Sequence, residues 1–205
     1  MKLIFLGPQA SGKGTQALSL SKKLNVPHIS LGDLLREEVK SDTEIGKEIS
    51  ERINKGHLVP DEMAYGIIKM KLEDNPDGWI LDGFPRTIYQ AKMGEGILNP
   101  DKVIFIDITD EEAVNRISSR RVCEDCGENY NRNYKPSKVA EICDSCSGKL
   151  IQRDDDKPEL VKERLGWYHD NIKPILELYK EKVIKIDGSK PIEEVQKKIG
   201  LNLGI

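Results

Sequence analysis

An α/β fold built on a parallel sheet of five strands is predicted by three features of the 205-residue chain. Five short apolar runs recur along it, each of strand length. Helical periodicity fills the gaps between those runs, so parallel pairing through right-handed crossovers is the expected topology. One segment, 122–156, breaks the alternation and gathers all four cysteines, which marks it as an insertion.

The elements follow in order. Lys2–Leu6 reads as a short buried strand, and GKGTQALSLSKKL behind a Gly-rich turn reads as a helix. PHIS (27–30) is the second strand, followed by helices at Leu31–Lys40 and Thr43–Asn54 and by another opening at Asp61. GWILDG (78–83) has the apolar run of a strand buried on both faces; KVIFID (102–107) and KVIKID (182–187) match it, each ending on Asp. A long helix is expected from Pro158 to Lys182, kinked at Pro174, where the ring removes a backbone donor and crowds the preceding turn.

Charge narrows the function. With 32 basic and 35 acidic residues, a net of −3, the chain lacks the excess of cations that displaces counterions from a polynucleotide. A small anionic ligand remains possible, because a few arginines in one cleft outweigh the total. The opening MKLIFLGPQA is apolar for fewer residues than a secretory core needs, and no run approaches a membrane span. A cytoplasmic location without membrane or nucleic-acid partners is therefore expected.

GPQASGKGT (7–15) lies between a strand and a helix, the setting of a phosphate-binding loop, although Gly14 intervenes between Lys13 and Thr15 and so breaks the strict G-x-x-x-x-G-K-[ST] form. A helix N-terminus offers unpaired N–H groups and a positive dipole end. Gly7, Gly12 and Gly14 permit close approach, Lys13 supplies a point charge, and Thr15 offers a hydroxyl to phosphate or to hydrated Mg²⁺. The bland alternative is a glycine-rich turn with an idle lysine. Asp82 ends a buried strand beside this loop, where it suits a water-mediated contact to Mg²⁺. The histidines, His28, His57 and His169, form no constellation with a nucleophile.

CEDC (123–126) and CDSC (143–146) place Cys123, Cys126, Cys143 and Cys146 in C-x₂-C-x₁₆-C-x₂-C spacing. Two such turns fill four tetrahedral positions and leave none for water, which describes a structural Zn²⁺. Two disulfides, iron in the same thiolates, or a nucleic-acid-binding zinc ribbon are the alternatives.

GKGTQA also resembles the loop of nucleoside monophosphate kinases, and of adenylate kinases in particular. ISLGDLLR (29–36), GHLVPDE (56–62), LDGFPRTIYQA (81–91), the arginines around the insertion and GSKP (188–191) resemble the same family, in its long-lid form with a four-cysteine zinc site. The resemblance implies a P-loop three-layer α/β/α core (1–29, 60–118 and 157–205), a helical acceptor-nucleotide subdomain (30–59) and a zinc-ribbon-like lid (119–156). It implies reversible, Mg²⁺-dependent transfer, ATP + AMP ⇌ 2 ADP, by a monomer.

Carried over, the catalytic set is Lys13, Arg86, Arg120, Arg153 and Arg164. ATP would meet Ala10, Ser11, Gly12, Lys13, Gly14, Thr15, Arg116, Arg120, Asn129, Tyr130 and Lys190, with Arg116 stacked on its adenine. AMP would meet Leu31, Arg36, His57, Leu58, Val59, Gly83, Phe84, Pro85, Arg86, Gln90, Arg153 and Arg164. Gln90 would hydrogen-bond its base, because an amide matches adenine's donor–acceptor edge. Asp155 and Asp156 match acidic residues near the metal or the lid hinge.

Three positions depart from the family. Ala10 stands where glycine is usual, which tunes the loop without abolishing it provided its φ is negative. Leu31 replaces a threonine near the acceptor base, which relaxes base discrimination. Ser119 replaces a hinge glycine, which stiffens the lid root. A kinase of broader base specificity is the nearest alternative function, and a P-loop switch with a zinc-ribbon interaction module a remote one.

Overall fold

A computed structural model describes residues 1–41 and 43–205; residue 42, inside the expected acceptor subdomain, lies outside them. Five parallel strands, β1 (Lys2–Leu6), β2 (His28–Ser30), β3 (Trp79–Asp82), β4 (Lys102–Asp107) and β8 (Val183–Asp187), form one sheet in the order β2-β3-β1-β4-β8. The five apolar runs are these strands, one or two residues shorter at some ends. Because side chains alternate across a strand, Leu3 and Phe5 face one side of β1, and Ile4 and Leu6 face the other.

The first side packs with Ala17, Leu20, Val195 and Ile199, on α1 (Lys13–Leu24) and α8 (Ile192–Leu203). The second carries a larger cluster that draws on α2 (Leu31–Lys40), α3 (Glu44–Asn54), α4 (Asp61–Glu73), α5 (Ile88–Met93) and α7 (Pro158–Leu178). Three layers result, with the inner strands β1, β3 and β4 buried on both faces and the edge strand β8 partly exposed.

Local chemistry sets the helix starts. The side chains of Ser30, Thr43, Thr87 and Thr109 accept from the backbone N–H three residues on, capping α2, α3, α5 and α6 (Asp110–Ser118). The long helix α7 stops at Leu178, short of the expected Lys182, and runs through Pro174.

A second, antiparallel sheet is built from segment 122–156 and the two residues before it: β5 (Arg120–Cys123) pairs with β6 (Asn129–Asn131) on one side and β7 (Leu150–Ile151) on the other. Its buried apolar cluster is only Cys123, Tyr130, Cys143 and Leu150.

The sheet's topology positions the site. β1 lies between β3 and β4, so the chain reverses its winding there and opens a crevice at the carboxyl ends of the strands. Gly7 makes the exit from β1 possible. Its φ is +148°, and a Cβ at that position would sit 2.2 Å from the Ile106 carbonyl oxygen of β4.

Candidate active site

The loop after β1 ends on Gly12, the N-cap of α1, with no side chain occupying the helix's first N–H groups. Ser11 is buried and its Oγ has no hydrogen-bond partner among the described residues. A buried hydroxyl without a partner beside free N–H groups is costly unless an anion completes the set. Lys13, Gly14 and Thr15 form the first turn, and Lys13 Nζ donates to the Pro8 carbonyl (3.0 Å).

Ala10 differs from expectation. Its φ is +58°, in the left-handed region that disfavours a Cβ by about 1–2 kcal/mol. The strain is offset because its methyl packs on the cluster of Ile108, Ile117, Val161 and Leu165, joining the loop to α6 and α7. The condition of a negative φ is thus not met; tertiary packing takes its place.

Asp82 ends β3 opposite the loop. Its Oδ2 is 3.7 Å from His28 Nε2 and would be 3.1 Å from a Cβ at position 14, so only glycine lets α1 come this close to the carboxylate. Oδ1 is buried and unpartnered among the described residues. A carboxylate beside this loop with one oxygen unpartnered fits a hydrated divalent cation.

Cations converge from distant segments. Arg36 Nη2 donates to Asp33 Oδ1 (2.5 Å), one turn earlier on α2. Arg86 follows the cis Phe84–Pro85 bond and donates through Nε to the Gly83 carbonyl (2.8 Å). Arg120 forks onto the buried Asp156, Nε to Oδ2 at 2.8 Å with a second bond from Nη2 to Oδ1. Arg164 donates to Asp155 Oδ2 (2.5 Å) and to Gln9 Oε1 (3.0 Å), which ties α7 to the phosphate loop. Arg153 donates to Asn129 Oδ1 (2.8 Å), while its Nε is buried without a partner among the described residues.

The cluster is electrostatically unsettled. Burial lowers the Lys13 pKa to about 8; Asp82 opposes the fall, and Arg86, Arg120 and Arg164 deepen it. Burial and, after it, neighbouring guanidinium groups likewise disfavour the charged forms of Arg86 and Arg153. Guanidinium keeps its proton regardless, so the strain stays as repulsion that an incoming anion relieves. For Asp33 and Asp155 burial alone would raise the pKa, but Arg36 and Arg164 respectively override it and hold the carboxyls below the usual range.

A pH dependence follows from Lys13. Above pH 8 its ammonium is increasingly neutral in the ligand-free protein, and a bound triphosphate restores the proton. Proton uptake on ATP binding is therefore expected near pH 9 and not near pH 7. Titration calorimetry in buffers of different ionisation enthalpy reads this directly; equal uptake at both pH values contradicts it.

The remaining expected residues divide. Leu31, Val59 and Phe84 are all buried in the larger core cluster, and Leu58 is half-buried beside Val59. Pro85 is buried between Phe84 and Arg86. Gln90 is buried on α5, bonded to the Arg86 backbone N–H and to Asp61. His57 faces Glu163 of α7 (3.3 Å), bridging two parts of the chain across the cleft.

Arg116 is bonded to Glu112 and lies against the Tyr134 ring, 4.8 Å from its centroid. Tyr130 turns its hydroxyl to the cysteine cluster, where it accepts from Asp144 N–H (2.8 Å) and lies 3.5 Å from Cys143 Sγ. Lys190 is exposed, 4.0 Å from Asp187. Ser119 adopts a negative φ and its Oγ contacts Asn131 Oδ1 (3.1 Å), tying β6 to the end of α6.

The four cysteine sulfurs lie within 4.8 Å of one another, with Cys123–Cys146 at 3.4 Å and Cys126–Cys143 at 3.6 Å. These gaps are far longer than the ~2.05 Å of a disulfide. They approach the about 3.8 Å between thiolates each ~2.3 Å from one tetrahedral ion. The Tyr130 hydroxyl and the Ser145 and Cys146 N–H groups lower the Cys143 pKa to about 6, favouring the ligand form.

Sequence reasoning missed Gln9, His28, Asp61 and Tyr134 as neighbours of these groups. Only Tyr134 carried a signal, an aromatic in a polar insertion.

A family model described as adenylate kinase matches residues 5–184. An adenylate kinase of Acetivibrio thermocellus is 46% identical over 97% of this chain and 96% of its own length. One of Caldicellulosiruptor bescii is 45% identical over the full length of both, and one of Archaeoglobus fulgidus 48% identical over 97% and 96%. These matches run from the phosphate loop through the cysteine insertion to β8, leaving no segment for an unrelated switch or interaction module. Identity of this order over nearly the whole of both chains, together with a family model that spans most of this one, shows that the chain belongs to the adenylate kinase family.

Proposed function

We propose that the chain transfers the terminal phosphoryl group of ATP to AMP, reversibly, giving two ADP. The observation that carries this is the convergence of Lys13, Arg36, Arg86, Arg120, Arg153 and Arg164 on the crevice at the start of α1, more cations than nearby carboxylates offset. Transfer of a phosphoryl group consists mostly of positioning and charge stabilisation.

The backbone N–H groups of 10–15 and Lys13 would hold the donor phosphates, with Ser11 Oγ and Thr15 as hydroxyl contacts. Arg36 and Arg86 would hold the acceptor phosphate, with Leu31, Val59, Phe84, Gly83, Pro85, His57 and Leu58 lining the approach. Arg120, Arg153 and Arg164 would spread the charge that develops on the equatorial oxygens. The accepting oxygen is already ionised at neutral pH, so no general base is required. Arg116 would stack on the donor adenine, and the main chain of Asn129, Tyr130 and Lys190 would border it. Mg²⁺ bound with ATP supplies further neutralisation of phosphate charge, and Asp82 would hold it through water.

The boundaries proposed are a core of 1–29, 60–118 and 157–205, an acceptor subdomain of 30–59 and a lid of 119–156. Ser119 tethers the lid root, which stiffens the hinge. Closing the lid excludes water that would otherwise hydrolyse ATP. The lid metal is proposed to be zinc, on the all-sulfur ligand set and its spacing. One copy carries the complete cleft, consistent with a monomer, and four unlinked thiols fit a reducing cytoplasm.

The test is ADP formation from ATP with a panel of monophosphates. AMP is expected to lead CMP and UMP by about tenfold or more in kcat/KM, with Leu31 permitting measurable use of the others. CMP or UMP outpacing AMP overturns the adenylate reading.

A further inference from the structure

Gln90, proposed to read the acceptor base, is 1% exposed on α5. The two ends of its amide are nearly the same size, so packing alone cannot decide which one faces which way. Its partners can. Oε1 accepts from the Arg86 backbone N–H at 2.7 Å, and Nε2 donates to Asp61 Oδ1 at 2.8 Å. A backbone N–H only donates and a carboxylate only accepts, so both bonds demand the same orientation.

We infer that Asp61, the first residue of α4, is a positioning residue that locks the Gln90 amide and thereby selects a 6-aminopurine over a 6-oxopurine acceptor. With its two internal bonds made, the amide keeps one N–H and one oxygen lone pair for a ligand, side by side. Adenine presents N1 as acceptor beside its N6 donor, the complement of that pair. Hypoxanthine and guanine present N1–H as donor beside O6 as acceptor, the reverse. A freely turning amide would serve either base; one held at both ends, by the Arg86 N–H and by Asp61, meets an oxopurine donor to donor and acceptor to acceptor. Without Asp61 a single neutral bond is left to oppose its turning. Buried polar groups left in such opposition reject a ligand far more strongly than a poor apolar fit does.

Asp61 also has an ordinary structural use, since a carboxylate in the first turn favours a helix dipole. That use affects stability and leaves base choice alone, so the two roles separate. The inference rests on Gln90 being the reader, and the experiment tests that independently.

The measurement is the ratio of kcat/KM for AMP to that for IMP, with thermal unfolding as the control for folding. Asp61→Ala is expected to lower the ratio by about ten- to a hundredfold, through a higher KM for AMP. Asp61→Ser, which suits a helix start but is too short to reach Nε2, should do the same if the alanine variant folds poorly. Asp61→Asn retains an acceptor oxygen and should restore most of the ratio. In a Gln90→Leu background the ratio should already be low, and adding Asp61→Ala should leave it there. If Gln90→Leu collapses the ratio while Asp61→Ala and Asp61→Ser preserve it, the positioning role of Asp61 is wrong and the reader stands. If Gln90→Leu itself leaves the ratio intact, the amide does not read the base and both readings fall.

Discussion

Lys13→Met is expected to lower kcat by about a thousandfold or more while leaving the fold intact and raising its melting temperature. The two effects have one cause. Methionine keeps the length and apolar stem of lysine and removes only the ammonium. In the ligand-free protein that ammonium is disfavoured by burial first and by Arg86, Arg120 and Arg164 next, which is why its pKa falls to about 8. Deleting it relieves the resting protein of charge it holds at a cost. During transfer, in the proposed mechanism, the same charge would sit against phosphate oxygens whose negative charge is being redistributed, in a crevice where water screens little.

Activity and stability should therefore move in opposite directions, the mark of a group retained for function at the expense of the fold. Stopped-flow or steady-state turnover together with calorimetric unfolding checks both halves. A well-folded variant with near-normal kcat would remove Lys13 from the mechanism.

Stripping the proposed zinc from the cysteine cluster is expected to unfold the lid while the main sheet survives. The buried apolar content of that insertion is Cys123, Tyr130, Cys143 and Leu150, far too little to offset the conformational entropy of ordering it. Structural Zn²⁺ in small domains supplies on the order of 10 kcal/mol, enough to account for the deficit. The five-stranded sheet has two independent apolar clusters and needs no such help.

Chelation should thus split unfolding into two transitions, with amide exchange becoming fast across 120–151 and staying slow in β1, β3 and β4. Cys143→Ser should mimic it, because Cys143 is buried and also receives the Tyr130 hydroxyl and the Ser145 N–H. With the lid loose, turnover should fall and hydrolysis of ATP by water should rise relative to transfer. One cooperative transition unchanged by chelation would show that the thiols hold themselves together without an ion.

Much of this was legible in the chain because its signals are contiguous. A phosphate loop is nine consecutive residues whose neighbours on the chain are also its neighbours in space, and the two C-x₂-C turns carry their own geometry. Alternating apolar runs are short-range too: the parity of Leu3, Ile4, Phe5 and Leu6 already sorts them to opposite faces of a buried strand.

What eluded the sequence was mostly pairing over distance. Nothing near Gln90 announces Asp61, 29 residues away, and nothing near Arg164 announces Gln9, 155 residues away. Ala10 would be expected at negative φ on its own preferences; contact with α6 and α7 moves it to +58°. Nothing near Tyr130 announces that its hydroxyl turns to Cys143 and Asp144.

Residue type and spacing along the chain were enough to give the layers of the fold and to mark the glycine-rich turn and the four-cysteine insertion, since each depends on backbone geometry spanning a few residues. The balance of charge in the cleft, the strain in its loop and the orientation of the Gln90 amide came from folding alone. Those properties depend on which groups lose their water beside one another, and desolvation acts between neighbours in space, however far apart they stand in the chain.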